Sequence, residues 1–210
     1  MLDDTTGAPR GGAPCWPSPL AWLGDLGFRR SDLAVFGAEV RLAGRELRAL
    51  HRDASGRGTG WERVAAGPHG RLRYAHTEGG AKALFRSPPG RAHRLLVADG
   101  ALPAIAAAAC DRRWSCTRYA GVGGVWTAAA AQAVRALVED GIARVVLAFV
   151  ATEAGGRMTR AALADFEGLP ACVEVRHPDC GTWLATLRRQ RAGFDPRRAN
   201  PRVPATEQAR

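Results

Sequence analysis

Between Arg94 and Arg191 the sequence alternates regularly between short apolar runs and longer alanine-rich segments, which is the pattern that most restricts the fold. The runs predict strands at 94–99, 116–120, 143–151 and 171–176, and the segments between and after them predict helices at 101–110, 127–139, 156–166 and 182–191. Such alternation is typical of a parallel sheet with right-handed crossovers and helices on both faces. We therefore predict an α/β fold for residues 91–193.

The residues before this region have a different pattern. Apolar residues at helical spacing predict a helix at 20–28 and a short turn at 29–32. Alternating runs joined by glycine-containing turns then predict antiparallel hairpins. These runs lie at 39–42, 46–52, 59–64 and 81–86, and the last of them precedes the Pro88-Pro89 linker. Residues 20–90 are thus predicted to form a small α+β subdomain, residues 1–19 a flexible lead and 194–210 a basic disordered tail.

The charge balance favours a polyanionic partner. The 210-residue chain has a formal net charge of +10 and a pI near 10.7, almost wholly from arginine, since Lys82 is the only lysine. Arginine binds phosphate well through its planar, bidentate guanidinium group. Genome composition explains the arginine-to-lysine ratio equally well, but it does not explain the net charge. We expect nucleic acid, DNA first, as the partner.

The remaining composition excludes several classes. No apolar run reaches about 18 residues, and the N-terminus lacks a basic start and an apolar core. The five cysteines show neither CxxC nor zinc-ligand spacing. We therefore expect a soluble cytoplasmic protein with reduced thiols and no association with membranes.

Asp99 is the first candidate functional residue. It ends the apolar run that begins at Arg94, and Gly100 follows it directly. Ligands of open α/β sheets bind at the carboxyl ends of the strands. We also expect Val150, at the end of a later strand, to lie at a neighbouring tip of the sheet.

These strand ends resemble the Toprim domain of bacterial primases, topoisomerases and related nucleases. In that family an acid followed by glycine ends one strand, as in Asp99-Gly100, and a later strand runs into Asp-x-Asp-x-Ala-Gly, which ends here in Ala154-Gly155. The hairpin at 46–62 and the segment at 82–86 are similar to primase-like proteins. The likeness covers about residues 20–191 and is greatest to plasmid-borne Toprim proteins found beside relaxases and primases.

The resemblance implies a magnesium site that has lost most of its ligands. In the family three acids hold Mg²⁺ for phosphoryl chemistry, because the ion prefers oxygen ligands. Asp99 stands at the first acid position, whereas Val150 and Thr152 stand at the two later ones. Pro103 replaces a further family Asp, and 182–184 reads Thr-Trp-Leu where Asp-Trp-Asn is usual. Asp99 is thus the remaining metal-ligand candidate, and no resident cofactor is expected in this interpretation.

Three hypotheses follow. The first is a catalytically degenerate module that binds nucleic acid and assists replication or conjugation proteins of a plasmid or other mobile element. The second is an active Mg²⁺-dependent primase or nuclease, in which a bulge at the strand end brings Glu153 to Asp99 as a catalytic pair. The third is a protein-interaction remnant without nucleic-acid binding.

Six residues are candidates for contact with phosphate. The glycine-rich loop at 121–124 lies between a strand and a helix start, where backbone amides can bind phosphate, although a plain tight turn has the same sequence. Arg157 adjoins the strand-end position, and the basic and aromatic residues at 112–119 are typical of either a single-strand surface or a solvated loop. The candidates are Lys82, Arg86, Arg118, Gly123, Gly124 and Arg157.

Overall fold

The computed structural model describes residues 19–67, 71–77, 80–111 and 113–193. Residues 1–18 of the predicted lead and the predicted tail at 194–210 lie outside this part. The helices are α1 (Pro19–Asp25), α2 (Arg30–Ala34), α3 (Ala101–Cys110), α4 (Ala128–Glu139), α5 (Glu153–Asp165) and α6 (Trp183–Arg191). The strands are β1 (Val40–Ala43), β2 (Glu46–Arg52), β3 (Gly58–Ala66), β4 (Leu72–His76), β5 (Leu84–Arg86), β6 (Arg94–Ala98), β7 (Thr117–Gly121), β8 (Arg144–Leu147) and β9 (Cys172–Val175).

All nine strands belong to one sheet, in the order β4-β3-β2-β5-β7-β6-β8-β9, with β1 also paired to β2. The pairs β7-β6, β6-β8 and β8-β9 are parallel, and every other pair is antiparallel. The predicted fold class, a parallel sheet flanked by helices and preceded by antiparallel hairpins, is confirmed. The sheet is continuous across residue 90, because β5 pairs with β2 on one side and β7 on the other.

Helices cover both faces of the parallel strands. One apolar cluster joins α1, α3 and α6 to side chains such as Leu96 of β6. The other joins α4 and α5 to Leu95, Val97 and Leu147 on the opposite face. Burying each such side chain contributes about 1.5–3 kcal/mol, which explains why these strands read as continuous apolar runs.

The first cluster also extends under the hairpins. Leu47 and Ala49 of β2 and Val64 of β3 are fully buried in it, and Phe36 stacks on Phe85 of β5 with ring centroids 5.0 Å apart. Alternate residues of β2 and β3 point to the other face of the sheet. The antiparallel half therefore has one covered face and one face of mainly polar side chains.

Three of the differences from the predicted elements bear on the candidate site. Strand β4 was missed, since its side chains are exposed or half-buried throughout and lack an apolar period. Strand β8 ends at Leu147 rather than 151, and α5 begins at Glu153 rather than 156. Thr152 sets the start of α5, because its hydroxyl accepts the Gly155 N–H at 3.2 Å and so caps the helix. No helix within the described ranges is long and apolar enough to cross a membrane.

Candidate functional site

A cleft of about 440 Å³ opens at the carboxyl ends of β6 and β7 and beside the start of α5. Clefts of this size at strand ends are the usual ligand sites of α/β proteins. Its polar lining comes from both halves of the sheet. The lining residues that bear on function are Glu62, Tyr74, His76, Lys82, Asp99, Gly123, Gly124, Val150 and Trp183.

Asp99 and Val150 meet at this cleft, as the strand pattern predicted. The Val150 N–H donates to both carboxylate oxygens of Asp99, with each N–O distance 3.2 Å. Burial raises the pKa of Asp99, and the hydrogen bond from Val150 opposes this shift only in part. The acid at the strand end is therefore held by backbone, and it loses its proton less readily than a solvent-exposed aspartate does.

The turn after β8 is tightly packed around Val150. A Cβ atom on Gly155 would lie 1.9 Å from the Val150 carbonyl oxygen, so no other residue fits there. This contact explains why glycine stands at position 155. Thr152 is exposed and its hydroxyl is engaged as the cap of α5.

Glu153 lies in the first turn of α5, where its side chain is 88% exposed. Its carboxylate pairs with the guanidinium group of Arg157 one turn later, at 2.5 Å. Among the described residues, the cleft lining includes Ala154 and Gly155 but neither member of this pair. No bulge turns Glu153 towards Asp99, because residue 153 is already helical.

The donor set does not fit a magnesium ion. Val150 has no oxygen in its side chain, the hydroxyl of Thr152 caps a helix, and Asp99 already accepts from backbone. Within the described ranges, no group of three or more His, Cys, Asp or Glu side chains is arranged to hold a metal ion. Mg²⁺ is held by carboxylate oxygens in near-octahedral geometry, and of the three family positions only Asp99 carries a carboxylate.

Glu62 is a site residue that the sequence interpretation missed. Its two carboxylate oxygens accept the Ala101 N–H at 3.1 and 3.0 Å, at the start of α3. A negative charge is stabilised at a helix N-terminus. Gly100 makes room for it, since a Cβ there would lie 2.7 Å from Glu62 Oε1.

His51 also contacts the Glu62 carboxylate. Its Nε2 lies 3.1 Å from Glu62 Oε2, and its side chain is fully buried. The alternation of inward and outward residues along β2 and β3 could have revealed this pair. His51 lies on the same face as Leu47 and Ala49, and Glu62 lies on the same face as Val64. Polar residues at inward positions of two paired strands indicate a buried polar pair.

Two further side chains of this region come from β4. The ring of His76 meets that of His51 edge to face, with centroids 5.0 Å apart. Burial, and then the proximity of His51, lowers the pKa of His76. Burial raises the pKa of Tyr74 to about 12, and the carboxylates of Glu62 and Asp99 add to this effect. Both side chains are therefore uncharged at neutral pH, and neither attracts an anion to this wall of the cleft.

Three of the six phosphate candidates come together at the cleft. Lys82 Nζ donates to the Gly123 carbonyl oxygen at 3.1 Å. Gly123 and Gly124 both have positive φ, 65° and 83°, which favours glycine at these turn positions. The Gly124 N–H donates to the Asp99 carbonyl oxygen at 2.6 Å, so that amide is already occupied.

Arg118 and Arg86 lie away from the cleft. Arg118 is near the amino end of β7, buried, and donates to the Ser87 carbonyl oxygen at 3.3 Å. Arg86 is half-buried in β5. Burial lowers the pKa of both arginines. Arg157, the sixth candidate, is exposed on α5 with Glu153 as its partner.

No protein-family model and no curated protein matches the chain. Solved structures do match it. A DnaG primase catalytic domain bound to ssDNA is 15% identical, with TM-score 0.58 over 89% of this chain and 72% of that one. The DnaG catalytic core is 15% identical, with TM-score 0.57 over 85% and 70%. A third match is a bacteriophage T7 assembly of DNA polymerase with primase domains bound to an RNA/DNA hybrid and dTTP. It is 18% identical, with TM-score 0.52 over 81% of this chain and 84% of that one. The chain therefore shares the Toprim-like fold of primase catalytic cores.

Proposed function

We propose that this protein binds nucleic acid through a primase-like Toprim fold that no longer performs metal-dependent catalysis. In this proposal it is an accessory factor in DNA replication or transfer, acting beside replication or conjugation proteins of a plasmid or other mobile element. The sequence resemblance to plasmid-borne Toprim proteins supports that setting. The fold itself supports a role with nucleic acid.

The observation that carries the loss of catalysis is the hydrogen bond between the Val150 N–H and the Asp99 carboxylate. It supports the assignment of the two strand ends to the neighbouring tips at which the family's acids would converge. A valine stands on one tip and a buried, backbone-bound aspartate on the other. With no ligand set, phosphoryl transfer lacks the cation that neutralises charge on the phosphate oxygens.

The supporting argument for nucleic-acid binding is electrostatic. A net charge of +10 attracts phosphate over several ångströms at ordinary ionic strength. One structural neighbour is bound to ssDNA and another to an RNA/DNA hybrid. We expect low-salt binding of fluorescent DNA at micromolar protein, with affinity that falls steeply as salt rises. Absence of any binding under these conditions would contradict the proposal.

The decisive experiment restores the missing acids. In Val150→Asp/Thr152→Asp, one new carboxylate enters the cleft beside Asp99 and a second lies next to the cleft at the start of α5, so their mutual repulsion lowers the melting temperature of the metal-free variant. Mg²⁺ or Mn²⁺ then raises it, because a ligand that binds the native state stabilises it. The wild type gains no such stabilisation and neither synthesises primers nor cleaves DNA.

The matched control is Val150→Asn/Thr152→Asn, which has nearly the same shape without the charges. Both substitutions at 152 keep a good helix cap. If the acidic variant gains no metal-dependent stabilisation, Val150 and Thr152 do not occupy acid positions. If Mg²⁺ stabilises the wild type but not Glu153→Gln, the protein is an active two-carboxylate enzyme and the proposal is wrong.

A further inference from the structure

We propose that single-stranded nucleic acid binds on the open face of the antiparallel hairpins, at a surface formed by Arg41, Arg48, Trp61, Arg63 and Arg73, here named the arginine face. This inference rests on the proposed nucleic-acid binding and assigns it to a surface that is separate from the cleft. None of these residues lines the cleft, and none belongs to the six phosphate candidates of the sequence.

Strand register places the arginines side by side. Arg41 of β1 pairs with Arg48 of β2, and Arg48 pairs with Arg63 of β3. Paired residues of neighbouring strands share a face, so these three side chains form a row across the sheet. Arg73 of β4 belongs to the next row, opposite Ala65.

The row faces solvent. Arg48 and Arg63 each have 46% of the side chain exposed, and Arg41 and Arg73 are exposed as well. The alternate residues of the same strands, such as Leu47 and Val64, are buried in the core. Helices therefore support the arginine face from behind and leave its front accessible.

The charge of the face is only partly neutralised. Glu46 pairs with Arg48 at 2.6 Å and with Arg63 at 2.7 Å, and these contacts hold the guanidinium groups in place. Arg63, together with Arg48, lowers the pKa of Glu46, so this carboxylate stays ionised at neutral pH. One carboxylate among four arginines leaves a clear positive excess, and this excess complements a phosphate backbone.

Trp61 adds an aromatic surface to this charge. It pairs with Leu50 on the same face of the sheet and is half-buried, and the Arg41 guanidinium lies over its ring, 5.1 Å from the centroid. An unpaired base can stack on the platform formed by this ring and the guanidinium plane, while the other arginines contact the neighbouring phosphates. Bases inside a duplex are already stacked, so this combination favours a single strand.

The test measures the binding of a fluorescent oligothymidine by anisotropy over a range of salt, using the full chain. Removing two phosphate contacts in Arg41→Gln/Arg63→Gln should weaken binding about 25-fold at 0.1 M salt and reduce the salt slope by about 1.4. Trp61→Leu should weaken binding roughly tenfold without changing the slope, whereas Trp61→Phe keeps a ring and most of the affinity.

The matched control is Arg30→Gln/Arg144→Gln, which removes the same charge from exposed arginines of α2 and β8. We expect the affinity of this control to fall by less than about threefold, because salt largely screens the attraction between exposed charges and a distant oligonucleotide. Melting curves for every variant confirm that the fold is retained, and the two Trp61 variants separate loss of the ring from loss of packing.

Each outcome decides a different claim. If the wild type binds no oligonucleotide, the proposed function is wrong. If the wild type binds but the arginine-face variants bind equally well, or lose no more than the control pair, only this inference is wrong. Tighter binding of a duplex with the same losses, or a fully retained affinity in Trp61→Leu, would overturn the assignment to a single strand.

Discussion

The parallel and antiparallel halves of the sheet differ in how they are covered. Strands β6 and β8 are covered by apolar clusters on both faces, so a ligand can contact them only at their ends, in the cleft. Strands β2 and β3 have one buried face and one solvent-facing row of arginines. The parallel half can therefore act only at its tips, whereas the antiparallel half can bind along a whole face.

Under the proposed function, this difference explains how catalysis can be lost while binding remains. A valine in place of an acid at position 150 would remove a ligand without disturbing the packed strands behind it. The arginine face lies on other strands and shares no side chain with those ends. We infer that binding on the hairpins is independent of chemistry at the cleft.

The largest expected effect is on the free energy of unfolding, and it is tested by replacing one leucine in each half of the sheet. Leu147 is fully buried between β8 and the helices, so Leu147→Ala should cost about 2–5 kcal/mol of unfolding free energy. Leu50 is half-buried on the open face, and Leu50→Ala should cost about 1 kcal/mol. Urea denaturation measures both. Equal losses would show that the open face is covered in solution.

A second pair contrasts two glutamates on opposite faces of the hairpins. Glu62→Ala leaves the Ala101 N–H and buried His51 without their partner, which should cost about 3 kcal/mol. Glu46→Ala breaks exposed pairs with Arg48 and Arg63 and should cost at most about 1 kcal/mol. The same denaturation series checks this, and a costlier Glu46→Ala would contradict the contrast between the faces.

The smallest effect concerns pH. Burial raises the pKa of Asp99, so the folded protein holds this proton more tightly than the unfolded chain does. The contribution to stability is therefore full below the unfolded pKa and decreases as pH rises through the folded pKa. Asp99→Asn lacks this loss, so its stability relative to wild type should increase as pH rises above about 4 and become constant above the folded pKa of Asp99. A difference that stays constant with pH would show that Asp99 does not titrate in this window.

The sequence predicted the parallel half better than the hairpins for a physical reason. Strands buried on both faces read as unbroken apolar runs, so β6 and its neighbours begin at or next to their predicted residues. Strand β4 lies at the edge of the sheet with little burial, and Leu72, Tyr74 and His76 do not form an apolar run. Edge strands are defined by their partner, which a local pattern does not reveal.

The site was predictable only where it depends on strand ends. Asp99 and Val150 follow from the alternation of strands and helices, but Glu62 reaches the cleft from another part of the chain, 39 residues before the Ala101 amide that it binds. The arginine face was hidden for the same reason. Arg41, Arg48 and Arg63 are separated in sequence, and only the register of three strands makes them neighbours.

Strand β5 has a mechanical consequence for the whole sheet. It is three residues long, and it pairs with β2 and with β7 through two residue pairs each. The sheet is thus narrowest where its two halves join, and Phe85 and Leu84 of this strand are buried in the apolar clusters on opposite faces. Because so few backbone hydrogen bonds join the two halves at β5, these two clusters, rather than the strand itself, resist bending of one half against the other.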